Sequence, residues 1–379
     1  MQIYVVQTGD NVDSIAEMFG ISAESLILDN QISYPYRLAV GQALYIRDNT
    51  QEEERIPLYT GGYAYPFIDR TTLEETLPFL TDIYVFSYGF TMEGNLIPPA
   101  SDDMWMIEAS LAGAVRPILT LTPLGADGRF NNNLVSEVVR DMEVQQRLIW
   151  ELGRTVQEKG FGGVDIDFEY VQPEDRVPLA QFVRRLTQIM NLFGYQVSVA
   201  LAPKTSSDQQ GLLYEGIDYG LLGGAANRVM LMTYEWGYSY GPPMAVAPIN
   251  MVRRVVDYAV TEISRDKISL GIPNYGYDWP LPYERGETKA RTISNQEAVE
   301  LAVDYGVEIQ FDETAQSPYF RYWQYGIQHE VWFEDVRSMK AKFDLVLEYG
   351  LSGVGYWQLM NFFRANWLLL EDMFLIERF

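Results

Sequence analysis

The run Phe161-Gly162-Gly163-Val164-Asp165-Ile166-Asp167-Phe168-Glu169-Tyr170 sets three carboxylates at alternate positions, with apolar residues between them. A strand sends successive side chains to opposite faces, so Asp165, Asp167 and Glu169 share one face and Val164, Ile166 and Phe168 the other. Unpartnered carboxylates are costly to remove from water, so the acid face must border a polar cavity that solvent and substrate can reach. Rungs two residues apart lie roughly 6.5–7 Å apart along the backbone, so the acids titrate as a set. Mutual repulsion and partial burial raise a carboxyl pKa and hold a proton on the set near neutral pH, which makes a general acid. Glu169, the outermost rung, is the expected proton donor. Asp167, one pleat deeper, is expected to hydrogen-bond it and share the proton, and Asp165 to tune Asp167. Calcium would want about six to eight oxygens on a flexible loop, and the interleaved Val, Ile and Phe argue instead for a strand.

A strand of this kind needs a closed parallel barrel, whose strand ends open into one mouth. From Ile56 onward strand-like and helical runs alternate, the pattern of an α/β chain built from βα units. Strands are expected at Leu58–Ala64, Ile83–Gly89, Arg116–Leu121, Gly163–Glu169, Gln196–Ala202, Arg228–Glu235, Lys267–Pro273 and Gly353–Gln358. That predicts a (β/α)8 TIM barrel with the acidic strand fourth. The interval between strands seven and eight is too long for one connection. A helix over Ser294–Tyr305 and strands over Glu308–Phe311, Tyr319–Tyr325 and His329–Phe333 predict a small α+β excursion there.

Residues 1–47 read as a separate βααβ unit: strand Ile3–Val6, helices Asn11–Phe19 and Ala23–Asp29, strand Ala43–Arg47. The charged stretch 48–55 is the expected linker, and 56–379 the barrel domain. The run Tyr4–Ala16 with Gly9, Asp10 and Asn11, followed by Gly20, Leu26, Asn30 and Leu38–Ile46, resembles a LysM domain over its whole length. That resemblance implies binding of N-acetylglucosamine polymers, with the sugar between the Gly9–Asp10–Asn11 turn and the Asn30–Gln31–Ile32 loop.

Gly163-x-Asp165-x-Asp167-x-Glu169 resembles the catalytic strand of glycoside hydrolase family 18, with Gly162 standing where that pattern has its first Asp. The resemblance implies a retaining, substrate-assisted hydrolysis in which the sugar's own N-acetyl oxygen attacks the anomeric carbon. Asp167 would orient the acetamide and Glu169 protonate the leaving oxygen. Tyr234, in Met232-Thr233-Tyr234-Glu235-Trp236, would hydrogen-bond the acetamido oxygen, with Glu235 in place of the family's Asp. Trp357, ending the eighth strand, would floor the site. Trp236, Tyr275 and Trp279 are further candidates for sugar contacts. The segments Met232–Ile249, Gly271–Pro282 and Gln328–Asp335 resemble the spore-germination branch of the family, which implies an N-acetylglucosaminidase of spore-cortex peptidoglycan, associated with the spore coat and cortex or the cell wall. A chitin or chito-oligosaccharide hydrolase and a non-catalytic glycan-binding barrel are the alternatives.

Composition agrees with a glycan partner. With 52 acidic and 28 basic residues the chain carries a net charge of −24, which disfavours nucleic acid and anionic membranes. The absence of cysteine excludes disulfides and thiolate metal sites. No phosphate loop or zinc-ligand spacing is present, so no cofactor and no metal are expected. Neither a cleavable signal nor a membrane span is visible in the sequence. The sole histidine, His329, is expected to be structural, and Lys204 to be solvated.

Overall fold

Eight parallel strands close on themselves in the computed structural model, which describes residues 1–47 and 55–379. They are Ile56–Ala64, Asp82–Phe90, Arg116–Leu121, Gly163–Ile166, Gln196–Leu201, Arg228–Leu231, Ile268–Pro273 and Gly353–Trp357. Each pairs with the next, and the eighth pairs with the first. The acidic strand is fourth, as expected. It ends at Ile166 rather than Glu169, and the sixth ends at Leu231 rather than Glu235. Neighbouring chains diverge at the mouth and the ladder runs out, although the Asp167 N–H still reaches the Leu121 carbonyl at 3.0 Å. Asp167, Glu169, Tyr234 and Glu235 therefore stand just beyond the last paired residues.

The helix Met142–Lys159 shows how the sequence delivers the fourth strand. Asp141 caps its N-terminus by accepting from the Glu143 and Val144 N–H groups, and Gly160 ends it at φ 83°, a left-handed position that glycine takes without steric cost. Leu148, Ile149, Leu152 and Val156 are buried along one side, against the sheet. On the outward face of the acidic strand, Val164, Ile166 and Phe168 are buried, and Phe168 stacks on Phe182 of the helix Arg176–Leu192 with ring centroids 6.3 Å apart. The alternation is therefore realised: apolar outward, acid inward.

Gly162 also has a steric reason. A Cβ there would lie 2.2 Å from the aliphatic stem of Arg116, whose guanidinium forms two 2.9 Å bonds to buried Asp82. An ion pair at the barrel's floor thus occupies the place of the missing first acid.

Between strands seven and eight the chain builds a five-stranded antiparallel sheet in the order Arg291–Ile293, Gly276–Leu281, Ile327–Trp332, Ser317–Gln324, Gln310–Asp312, with the helix Asn295–Tyr305 beside it. The first two strands were not expected; Gly276–Leu281 carries no strand period in sequence, and its pairing with Arg291–Ile293 on one side and Ile327–Trp332 on the other makes it a strand. His329 pairs through Nδ1 with buried Asp278 at 2.8 Å and stacks on Tyr322.

At the N-terminus, Gln2–Val5 and Ala43–Ile46 pair antiparallel around the helices Val12–Phe19 and Ala23–Asp29, over a small core of Val12, Ile15, Leu26, Leu44 and neighbours. This unit is docked on the barrel. The Tyr45 hydroxyl donates to Asp372 at 2.6 Å, and the Ile309 N–H to the Val40 carbonyl at 2.9 Å. A Cβ at Gly41 would sit 1.9 Å from the Ile309 carbonyl oxygen. Of the expected linker, residues 48–54 lie outside the described residues; Arg55 donates to the Glu371 carbonyl at 2.7 Å. Among the described residues no helix is long and apolar enough to cross a membrane.

Candidate active site

The strand ends open into a cavity of about 480 Å³ lined by Asp167, Glu169, Tyr234, Glu235, Trp236 and Trp357 among others. Asp165, the deepest acid, is fully buried. Its two oxygens accept from the Tyr63 hydroxyl at 2.9 Å and the Ser198 hydroxyl at 2.6 Å, yet desolvation still pushes its pKa up to about 6. Asp167 has a buried oxygen, Oδ1, with no protein partner. Burial, then the charges of Glu169 and Asp165, push its pKa well above the usual carboxylate range. Glu169 is pushed up by burial and by Glu235. Among the described residues no Lys, Arg or His lines the cavity to relieve these charges. Asp167 and Glu169 therefore hold a proton between them under conditions where exposed carboxylates have lost theirs. The expected hydrogen bond between Asp167 and Glu169 is absent: with Asp167 Oδ1 unpartnered, the two acids couple through charge alone.

Tyr234 is buried, and desolvation with the nearby acids holds its hydroxyl protonated, hence a donor. Glu235 accepts from Tyr275 and from Tyr277, the latter at 2.9 Å; burial outweighs these bonds and raises its pKa. Two cleft residues adopt left-handed backbone, Tyr170 at φ 53° and Glu235 at φ 64°, which costs each of them roughly 1–3 kcal/mol. Trp357 stands at the floor, edge-on to Phe86 with centroids 5.0 Å apart and within 5.8 Å of the Tyr63 ring.

Of the residues expected to contact sugar, Trp357, Glu235 and Trp236 line the cavity. Tyr275 lies behind Glu235 and orients it. Trp279 is a correction: it is 0% exposed and its indole N–H donates to the Gly241 carbonyl at 2.8 Å, so no sugar can stack on it. Its strand is covered on both faces, with Asp278 on the other face only 3% exposed. Tyr63 and Tyr65, at the end of strand one, and Phe86, midway along strand two, line the cavity without having been expected; aromatic residues on the barrel strands were the available signal. Phe130, Asn132, Leu213 and Tyr214 reach it from long loops, where the sequence carries no period to find them. Lys204 is another correction, being buried rather than solvated.

In the N-terminal unit most of the expected sugar-binding side chains are already committed. Asn11 caps the first helix in a reciprocal bond with Ser14, Asp10 accepts from the Tyr4 hydroxyl and Gln7 N–H, and Gly9 is exposed at φ 95°. Asn30 spends both ends of its amide on the Leu26 and Tyr45 backbone, and Ile32 is in the core. Gln31 departs from expectation. Its side chain accepts from the Arg364 N–H at 2.8 Å and donates to the Phe362 carbonyl, and so fastens the unit to the barrel.

A model of glycosyl hydrolases family 18 matches residues 125–361, and a LysM domain model matches residues 4–47. The chain is 40% identical to a cortical fragment-lytic enzyme of Bacillus subtilis, over 99% of this chain and 98% of that one. It superposes on the crystal structure of the Bacillus cereus spore cortex-lytic enzyme SleL with a TM-score of 0.94, at 32% identity, covering 100% of this chain and 98% of the other. The Bacillus megaterium SleL structure gives the same TM-score of 0.94, at 34% identity, covering 100% and 99%.

Proposed function

The chain belongs to glycosyl hydrolases family 18, and from that premise we propose that it cleaves N-acetylglucosaminyl bonds in spore-cortex peptidoglycan or its fragments. It is a glycosidase with an N-terminal LysM domain, read here as residues 1–47, ahead of a catalytic unit read as 56–379. The substrate assignment draws on the names of its full-length relatives. With that substrate goes action at the spore coat and cortex or the cell wall, LysM holding the glycan.

The reading of the chemistry rests on the pair of inward acids with raised pKa values and, among the described residues, no cation lining their cavity. Glu169 carries its proton to the bridging oxygen as the bond to the leaving sugar breaks. The substrate's N-acetyl carbonyl closes on the anomeric carbon from the opposite side; water, giving a proton back to Glu169, then opens that ring from the face the leaving sugar vacated, and the two inversions retain the configuration. Asp167, whose open oxygen faces no protein donor, accepts the acetamide N–H and stabilises the positive charge that develops on it. Tyr234 donates to the acetamide oxygen and fixes its line of attack. Trp357 presents a flat apolar surface beneath the reacting ring, and Glu235, held by two tyrosines, accepts from a sugar hydroxyl.

Glu169→Gln keeps shape and removes the proton. Turnover on cortex fragments should fall by about 10²–10⁴-fold with glycan binding kept. Unchanged turnover would remove Glu169 from the acid's role. Mass spectrometry of the products identifies the bond: muramic-acid-containing fragments with N-acetylglucosamine at the reducing end support the substrate, and chitobiose from chitin with inert cortex would displace it.

A further inference from the structure

Lys204 follows the fifth barrel strand and is 2% exposed, with no carboxylate in ion-pair contact among the described residues. Its ammonium donates to three backbone carbonyls instead: Ile217 at 2.8 Å, Tyr214 at 3.1 Å and Ser207 at 3.4 Å. Its own N–H donates to the Tyr219 hydroxyl at 2.9 Å, and that hydroxyl donates to the Ala202 carbonyl at 2.6 Å. A buried ammonium with no carboxylate in direct contact is costly, and desolvation draws its pKa down against the opposing charge of Asp218. What it holds is an irregular segment, residues 205–217, whose carbonyls have no ladder to join.

That segment has two contacts with the cleft. Leu213 and Tyr214 line the cavity beside Glu169 and Tyr170, with Leu212 76% exposed at the rim. Gly216 packs so tightly on the turn after Glu169 that a Cβ would fall 2.1 Å from the Val171 carbonyl oxygen. One cation therefore fixes the wall from inside while the acid-bearing turn supports it from the other side.

We propose that Lys204 is a positioning residue that sets glycan affinity by holding the Leu213–Tyr214 wall against the cleft. It touches no substrate itself and acts through Tyr214. The inference rests on the glycosidase reading, and its consequence is selective. For that selectivity a chain of several sugars must press on the wall more than a single N-acetylglucosaminyl residue carrying a small aryl leaving group does.

Lys204→Met, Tyr214→Ala and the double variant are compared on cortex glycan fragments and on an aryl N-acetylglucosaminide. Each single variant should raise KM for fragments about ten-fold, and Lys204→Met should leave kcat on the aryl glycoside within two-fold. The double variant should be no worse than the worse single, because both remove the same wall. Chymotrypsin should cut within 205–217 faster in Lys204→Met than in the unaltered chain, a readout that needs no activity. Gly216→Ala, which pushes the segment from its other side, should reproduce the KM rise and covers the case in which Lys204→Met does not fold. Multiplying effects in the double variant, equal losses on both substrates, or unchanged proteolysis would overturn the proposal. Failure of the unaltered chain to cleave either substrate would refute the glycosidase reading, and the proteolysis comparison would still decide whether Lys204 holds the segment.

Discussion

Asp165→Asn isolates the electrostatic cost of the acid ladder. The carboxyl is fully buried, and its pKa is raised from 3.8 to about 6. At about 1.36 kcal/mol per unit, the ionised form disfavours the folded state by about 3 kcal/mol once pH is well above 6. The sign follows from the direction of the shift. A carboxyl whose folded pKa is raised contributes fully to stability below its unfolded pKa, and loses that contribution as pH rises through the folded value. Asparagine fills the same volume, its carbonyl can accept from Ser198, and the Tyr63 hydroxyl can turn to accept from its amide. Relative to the unaltered chain, the variant should therefore gain about 2.5 kcal/mol between pH 4 and pH 8, most of it between pH 4 and 6.5.

Unfolding entropy of roughly 2.1 cal/mol/K per residue converts that gain to a Tm difference of about 3 °C for a chain of this length. Thermal unfolding of both proteins across that range, followed by circular dichroism, is the assay. A Tm gap that stays constant with pH would refute the reasoning, since only a titrating group produces a gap that opens with pH. The same substitution removes one of the charges that raise Asp167, so the pH–rate profile should move toward acid.

Tyr234→Phe should lower kcat on cortex fragments by about 10²–10³-fold, as expected for loss of a hydroxyl aimed at developing charge, with KM changed far less; steady-state kinetics on fragments of defined length separates the two. Trp279→Ala should destabilise the fold by about 3–5 kcal/mol, leaving a large core cavity, with glycan affinity of the folded fraction unchanged. Denaturant unfolding and a binding isotherm check it, and a selective loss of affinity would return Trp279 to the sugar-binding set.

What was legible in the sequence had a short period. Asp165, Asp167 and Glu169 alternate with Val164, Ile166 and Phe168, and that alone gives the strand, its two faces and the direction of its chemistry. The barrel followed because strand and helix patterns alternate eight times. Strand ends were read too long, since the side-chain pattern runs on after the ladder stops; Asp167 and Met232 each make one last backbone bond, to Leu121 and Leu201, and the pairing ends there. Gly276–Leu281 was missed for the converse reason. Tyr277 pairs with Trp332 and Trp279 with Glu330, far along the chain, and nothing local records it. Lys204 and Gln31 share that difficulty. Both are ordinary surface residue types, drawn inward by carbonyls that only the folded chain brings together.

These departures gather at the mouth of the barrel. Just past the last ladder bonds lie two carboxyls whose pKa values burial raises, two left-handed residues, and an ammonium whose partners are backbone carbonyls. Each is unfavourable alone, and each either borders the cavity or holds a segment that does. Beneath them Asp165 is the exception, and its surroundings carry no such load: Val164, Ile166 and Phe168 are packed under helices, and Arg116 pairs with Asp82 across the floor. The N-terminal unit extends the same division of labour. Gln31 grips Phe362 and Arg364, and Asn274 grips the Gln358 and Asn361 carbonyls, so the turn that begins at Trp357 is held from both sides. Through that turn, the domain expected to grasp the glycan and the aromatic floor beneath the reacting sugar share one fixed frame.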